Sequence, residues 1–198
     1  LVALVTGDLI SGEAAMGTLR MLLTKPITRT QLLMSKFLAG GIYTFLIVLW
    51  LGFMAVGIGR YLFGAGDLMV LNSDGLVILQ EGDIMWRYIC AFCVAFLALF
   101  TISSLSICLS CFSDNSIGPI VATMAIILFF TIINALDVPI FDPIRPLLFT
   151  THMASWRSFF EDPLPWQQIK QSSLVLIVHN ILFIGISIFT FNRKDITV

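Results

Sequence analysis

Charge is what this sequence has least of. Acidic and basic side chains make up 12% of its 198 residues and hydrophobic ones 58%. That charge content is about half of what an ordinary soluble domain carries. The mean hydropathy is +0.98. The deficit is also local. No charged residue occurs in residues 37–59, 88–113, 115–136 or 171–192. A chain patterned this way is excluded from the class of water-soluble domains. Each run exceeds the ~20 apolar residues that carry a helix across a bilayer. In lipid the backbone must satisfy its own hydrogen bonds, so each run is expected to be helical. The fold class that follows is all-α, a polytopic transmembrane helical bundle with four complete spans. A net charge of -1 offers no electrostatic footprint for a nucleic-acid partner.

Other absences narrow the chemistry. There is no G-K-[ST] phosphate loop, so the chain is not its own ATPase. Gly64-Ala65-Gly66-Asp67 spells G-x-G-D, a motif of intramembrane aspartyl proteases. That chemistry needs a second aspartate in the membrane, and no span contains an acid. The cysteines are four, paired as Cys90/Cys93 and Cys108/Cys111 in one uninterrupted run. On one helix the pairs lie about 27 Å apart. No single tetrahedral metal site holds them. They share a helix face, which leaves a soft-metal path as an alternative to plain apolar packing. Disulfides are not indicated. His152 and Asp142 fall in one loop without a nucleophile beside them. No residue is assigned to catalysis or to a metal. The opening "LVALVT" is too short to cross a bilayer and lacks the positive flank of a signal peptide. It is expected to be the end of an earlier span.

Charge returns between the spans. Residues 7–36 form a polar segment, 60–87 a loop, 111–117 a short turn, and 137–170 a loop broken by Pro139, Pro143, Pro146, Pro163 and Pro165. Four spans put the opening segment and the tail on one side. That side holds Arg20, Lys25, Arg29, Lys36, Arg193 and Lys194. The other holds Arg60, Arg87, Arg145, Arg157 and Lys170. Six basic residues against five, in shorter segments, favour a cytoplasmic opening segment and tail. Trp86, Trp156 and Trp166 stand at loop–span borders, as interfacial anchors do.

The segment before the first complete span has its own pattern. Met16, Leu19 and Leu23 recur at helical spacing with Leu22 beside them, while Glu13 and Arg20 fall outside the stripe. This predicts a short amphipathic helix over roughly residues 13–24. Pro26 interrupts it. Thr28 and Gln31 then form a capping box, with Ile27 and Leu32 as a hydrophobic staple, so a new helix starts near Thr28 and runs through Lys36 into the membrane. On periodicity alone, an interfacial helix in a solvated loop fits as well.

Gly12-Glu13, Gly17-Thr18-Leu19, Leu22-Leu23, Pro26, Arg29 and Lys36 together resemble a recurring pattern of the membrane subunits of type-2 ABC transporters, the exporter-like permeases. The tail "FNRKDI", Phe191 to Ile196, resembles the "F.RRDI" ending of the same permeases. Ala14, Ala15 and Met16 stand where relatives carry charge. The resemblance implies that the segment is a coupling helix docking on an ATPase subunit, through Glu13, Gly17, Thr18, Leu19, Arg20, Leu23, Pro26 and Arg29. It implies short re-entrant helices in 137–170, and two helices and an amphipathic entry helix ahead of Leu1. It implies a second permease subunit, the same or different, and ATP and Mg on the partner ATPase, with no cofactor on this chain.

Polar residues inside spans carry the remaining expectations. Ser103, Ser106, Ser110 and Ser113 stripe one face of a span, and His179 and Asn180 lie near the middle of the last one. They are either interhelical hydrogen-bond glue or the lining of a translocation path. Gly52, Gly57 and Gly59 suggest bending or tight packing in the first complete span. The functional expectation is a permease subunit of an ATP-driven exporter in the inner membrane of a bacterial cell. The alternative is a membrane anchor or assembly protein that holds a cytoplasmic partner.

Overall fold

A computed structural model describes residues 1–18, 27–64, 66–72, 75–136 and 138–193. Its helices are α1 (Val2–Ala15), α2 (Arg29–Phe63), α3 (Glu81–Phe112), α4 (Ile117–Ala135), α5 (Phe149–His152) and α6 (Trp166–Arg193). Four of them, α2, α3, α4 and α6, are long and apolar enough to cross a membrane. They coincide with the four charge-free runs and extend past them at most ends. The fold is an all-α membrane bundle.

The centre is α3. It packs against α1, α2, α4 and α6. In its apolar stretch 44% of residues are buried, against 11% for α2. The small hydroxyl side chains of α3 allow this crowding. Ser103, Ser104 and Ser106 have no exposed surface. At Gly40 of α2 the approach is close: a Cβ there would meet Ser103 Oγ at 2.9 Å and Thr6 Cγ2 at 3.3 Å. Small residues at interfaces bring helix backbones together where lipid supplies no hydrophobic drive.

Local chemistry sets the helix ends. The capping box at α2 forms as the sequence predicts. Gln31 N–H donates to Thr28 Oγ1 at 3.2 Å, and Thr28 N–H donates to Gln31 Oε1 at 3.0 Å. At the start of α3, Glu81 N–H donates to Asp67 Oδ1 at 3.1 Å. Asp67 of the G-x-G-D sequence is thus a helix cap. Glu81 and Asp83 in the first turn face the positive end of the helix dipole.

The predicted amphipathic helix over 13–24 does not start where the periodicity put it. Glu13 belongs to the last turn of α1, which runs unbroken from Val2 to Ala15. Gly17 stops it. Its φ is +71°, the left-handed region that glycine enters without cost. Met16 N–H returns to Gly12 O at 3.0 Å and Gly17 N–H to Ala14 O at 3.1 Å. Within the segment that begins at position 7, Asp8 is exposed while Ile10, Ser11 and Gly12 are buried against the bundle. Leu19, Arg20, Leu22, Leu23, Lys25 and Pro26 lie outside the described residues.

Two features stand on the opposite side of the bundle. Strands β1 (Leu68–Asn72) and β2 (Gly75–Leu79) form an antiparallel hairpin between α2 and α3, where the sequence suggested only a loop. The proline-broken loop folds into short helical turns at Pro139–Phe141, Arg145–Leu147 and Ser155–Phe160, with α5 among them. Arg87 holds this cap to α3. It is 6% exposed, and its Nη1 donates to Phe159 O at 3.1 Å and to Glu161 O at 2.9 Å. Trp86 and Trp166 stack nearby, with ring centroids 6.3 Å apart. His152 bridges the cap to α6, with Nδ1 at 2.9 Å from Ser172 Oγ and Nε2 at 2.9 Å from Pro146 O. Asp142 pairs with Arg145 at 2.9 Å. Arg87→Met keeps the length and removes both bonds to the cap carbonyls. It is expected to cost about 2–3 kcal/mol, the range for buried hydrogen bonds to a charged group. Thermal unfolding in detergent reads this, and limited proteolysis should show cleavage concentrated within 138–165.

Candidate functional site

The two sequence motifs, one near each end of the chain, meet at one end of the bundle. From α1 comes Glu13, in the last helical turn. From α2 come Arg29, at its first position, and Lys36, two turns on. From α6 come Phe191 and Asn192, in its last turn.

Glu13 and Lys36 form an ion pair between Glu13 Oε1 and Lys36 Nζ, with side-chain exposures of 29% and 16%. The pair closes the junction between α1 and α2. Thr18 Oγ1 donates to Glu13 O at 3.2 Å, tying the turn after Gly17 back onto α1. Arg29 Nη1 reaches Asn192 O at 3.3 Å and Phe191 O at 3.5 Å. These carbonyls are in the last turn of α6, where a helix lacks intrahelical donors and carries partial negative charge. Arg29 is thus a cationic cap for α6. Asn192 Nδ2 and Thr30 Oγ1 stand 3.5 Å apart beside it. Beneath the polar layer the Phe191 ring, 1% exposed, packs with Ile10, Leu32, Leu33, Phe37, Ile107 and Cys111. The junction is one unit: an apolar plug drawn from four helices, sealed by an ion pair and a capping arginine.

The expected coupling residues divide on this geometry. Glu13 and Arg29, expected among the residues that dock on an ATPase subunit, both have partners within the chain. Gly17 lies at the exposed turn, and a Cβ there would meet none of the described residues within 4 Å. The positive backbone angle by itself accounts for a glycine here. Thr18 secures the turn. Met16 points outward, 75% exposed. Leu19, Arg20, Leu23 and Pro26 lie outside the described residues.

The candidate path residues point to different neighbours. Ser103 sits against Gly40 of α2. Ser106 Oγ donates to Ala3 O at 2.8 Å and lies 3.2 Å from Thr123 Oγ1 of α4. Ser110 Oγ accepts from Ser11 N–H at 2.8 Å. Asn180 is buried between α6 and α3: its Nδ2 donates to Thr101 Oγ1 at 2.8 Å, and its Oδ1 accepts from Ser104 Oγ at 2.7 Å. His179 Nδ1 lies 2.8 Å from Val175 O on its own helix, and its ring packs against Phe149 and Phe183. These groups join helices within the chain. Thr101 and Ser104 are not singled out by the sequence because they stand off the striped face. Their spacing of three residues, opposite an asparagine near mid-span, was the available signal.

Asn180→Leu leaves two hydroxyls of α3 without their partner. It is expected to destabilise the bundle by about 1–2 kcal/mol, the upper range for interhelical hydrogen bonds in membranes. His179→Leu removes a bond within its own helix and exchanges the ring contact with Phe149 for an apolar one, and should change stability by less than half as much. Thermal unfolding of the two variants on matched preparations compares them. An equal loss for both would overturn this division of roles.

Among the described residues no three His, Cys, Asp or Glu side chains come together in a group able to hold a metal ion. The fold and this junction define a polytopic α-helical membrane protein in which the end of α1, the start of α2 and the end of α6 meet. The chain belongs to a family described as "Protein of unknown function (DUF2705)", which matches residues 1–197. No curated protein and no solved structure matches the chain.

Proposed function

We propose that this chain is the membrane-spanning permease subunit of an ATP-driven ABC transporter, working as an exporter. The observation that carries the reading is the joining of the two family-like motifs. Arg29, from the opening motif, caps the helix that leads into the closing motif, and Phe191, from the closing motif, plugs the core beneath it. A push on the α1–α2 turn would reach α3 and α6 through this single packed unit, which suits a rigid-body switch between two states. In this reading ATP and Mg bind a separate ATPase subunit, a second permease subunit completes the path, and the protein resides in a bacterial inner membrane. The chain itself carries out no covalent chemistry.

A second reading, a membrane anchor or assembly protein, draws on one observation. The candidate path residues are engaged in packing between helices of this chain. Purification of the full-length protein in mild detergent tests between the two. A co-purifying P-loop ATPase whose hydrolysis depends on the permease supports transport; a partner without ATPase activity supports the anchor. The orientation is open to test as well. With the native cysteines replaced, Ile140→Cys, at a site 71% exposed, should react with an impermeant maleimide from outside. Thr30→Cys should react only after the cytoplasmic face is opened. The reverse pattern would overturn the orientation.

A further inference from the structure

An open apolar groove of about 400 Å³ runs between α2 and α3 in the half of the bundle away from the motif junction. Phe45, Gly52 and Val56 of α2 and Met85, Tyr88 and Phe92 of α3 line it. It opens outward: Phe45 is 51% and Met85 47% exposed. Its walls are stiffened by aromatic contacts, with Tyr88 and Phe92 stacked at 6.2 Å. The α2 wall is also irregular. Phe53–Ile58 is a π-helical stretch, a wider coil that is uncommon and recurs at functional positions.

Charge stands at one end of the groove. Arg60 lies one turn beyond Val56, and Glu81 one turn before Met85. They pair at 2.8 Å with side chains 51% and 47% exposed, so each keeps surface for a further partner. The stacked Trp86 and Trp166 mark this level as the membrane–water boundary. An apolar trough of acyl-chain dimensions thus leads up to one exposed cation and one exposed anion at headgroup height. We propose that the groove binds one acyl chain of a zwitterionic phospholipid from that leaflet, with the lipid phosphate on Arg60 and its amine on Glu81. A partner helix fits less well. Close helix packing in lipid uses small residues on both faces, and here bulky aromatics line both walls. The inference rests on the four membrane helices and is independent of the transport reading.

The test is photo-crosslinking of the full-length protein in vesicles of equal phosphatidylethanolamine and phosphatidylglycerol. A trace of one or the other carries a diazirine at mid-chain, and mass spectrometry locates the adducts. Adducts should concentrate in residues 45–56 and 85–96, with the ethanolamine lipid favoured by about threefold, the scale of exposed charge contacts. Arg60→Gln with Glu81→Gln should abolish that preference and leave the chain adducts in place. Gly52→Leu should reduce them, because a Cβ there already meets Phe92 Cε2 at 3.3 Å. Val56→Phe, which narrows the trough from its open side, should do the same if Gly52→Leu fails to fold. Adducts spread evenly over the outward faces of α4 and α6 would overturn the proposal. So would equal labelling by the two lipids, or protection of the groove by a crosslinked second copy.

Discussion

Under the proposed function, Glu13→Lys is expected to uncouple ATP hydrolysis on a partner subunit from transport while the spans still insert. The substitution sets a second cation beside Lys36 at the α1–α2 junction, where a carboxylate now closes it. The loss of stability should be about 2 kcal/mol, between the values for exposed and fully buried pairs. Transport-coupled ATP hydrolysis should fall about tenfold, within the range of allosteric coupling energies. The informative comparison is the charge swap, Glu13→Lys with Lys36→Glu. If the role of Glu13 is to close the junction, the swap restores most of both stability and coupling. If Glu13 instead meets the partner directly, the swap restores stability alone. ATP hydrolysis and thermal unfolding, measured on the same three preparations, separate the two.

Phe191→Ala should be the most destabilising single change at the junction. The ring is buried among residues of α1, α2 and α3, and its removal leaves a cavity in that cluster. The expected loss is about 3 kcal/mol. Phe191→Leu, which keeps most of the volume, should cost about 1 kcal/mol. Thermal unfolding checks both. An alanine variant as stable as the parent would mean that the end of α6 is not seated in this core.

The four spans are legible in the sequence because charge is costly in lipid, whereas a helix of that length in water carries charge on its outer face. The start of α2 is legible because Thr28, Gln31, Ile27 and Leu32 act within a single turn of chain. What the sequence hides depends on contacts distant in the chain or on one backbone angle. Glu13 and Arg29 look like surface charges in the sequence, and nothing local shows that Lys36 and the carbonyls of α6 lie within their reach. Gly17 stands in the sequence only as part of the resembled motif, whereas its positive φ makes it the end of α1. The hairpin is hard to see although two five-residue apolar strands flank an Asn-Ser-Asp-Gly turn signal. In a chain this hydrophobic such strands give little contrast. Arg87 stands in the sequence at the edge of a charge-free run, but its burial depends on a cap assembled from residues more than seventy positions away.

Under the proposed function, the segment that follows α1 meets an ATPase. A photo-reactive amino acid in place of Met16, the exposed side chain at the tip of α1, tests this in intact cells. The expected product is a crosslink to a protein carrying a P-loop. Crosslinks to lipid alone, or to a partner with no ATPase domain, would contradict it.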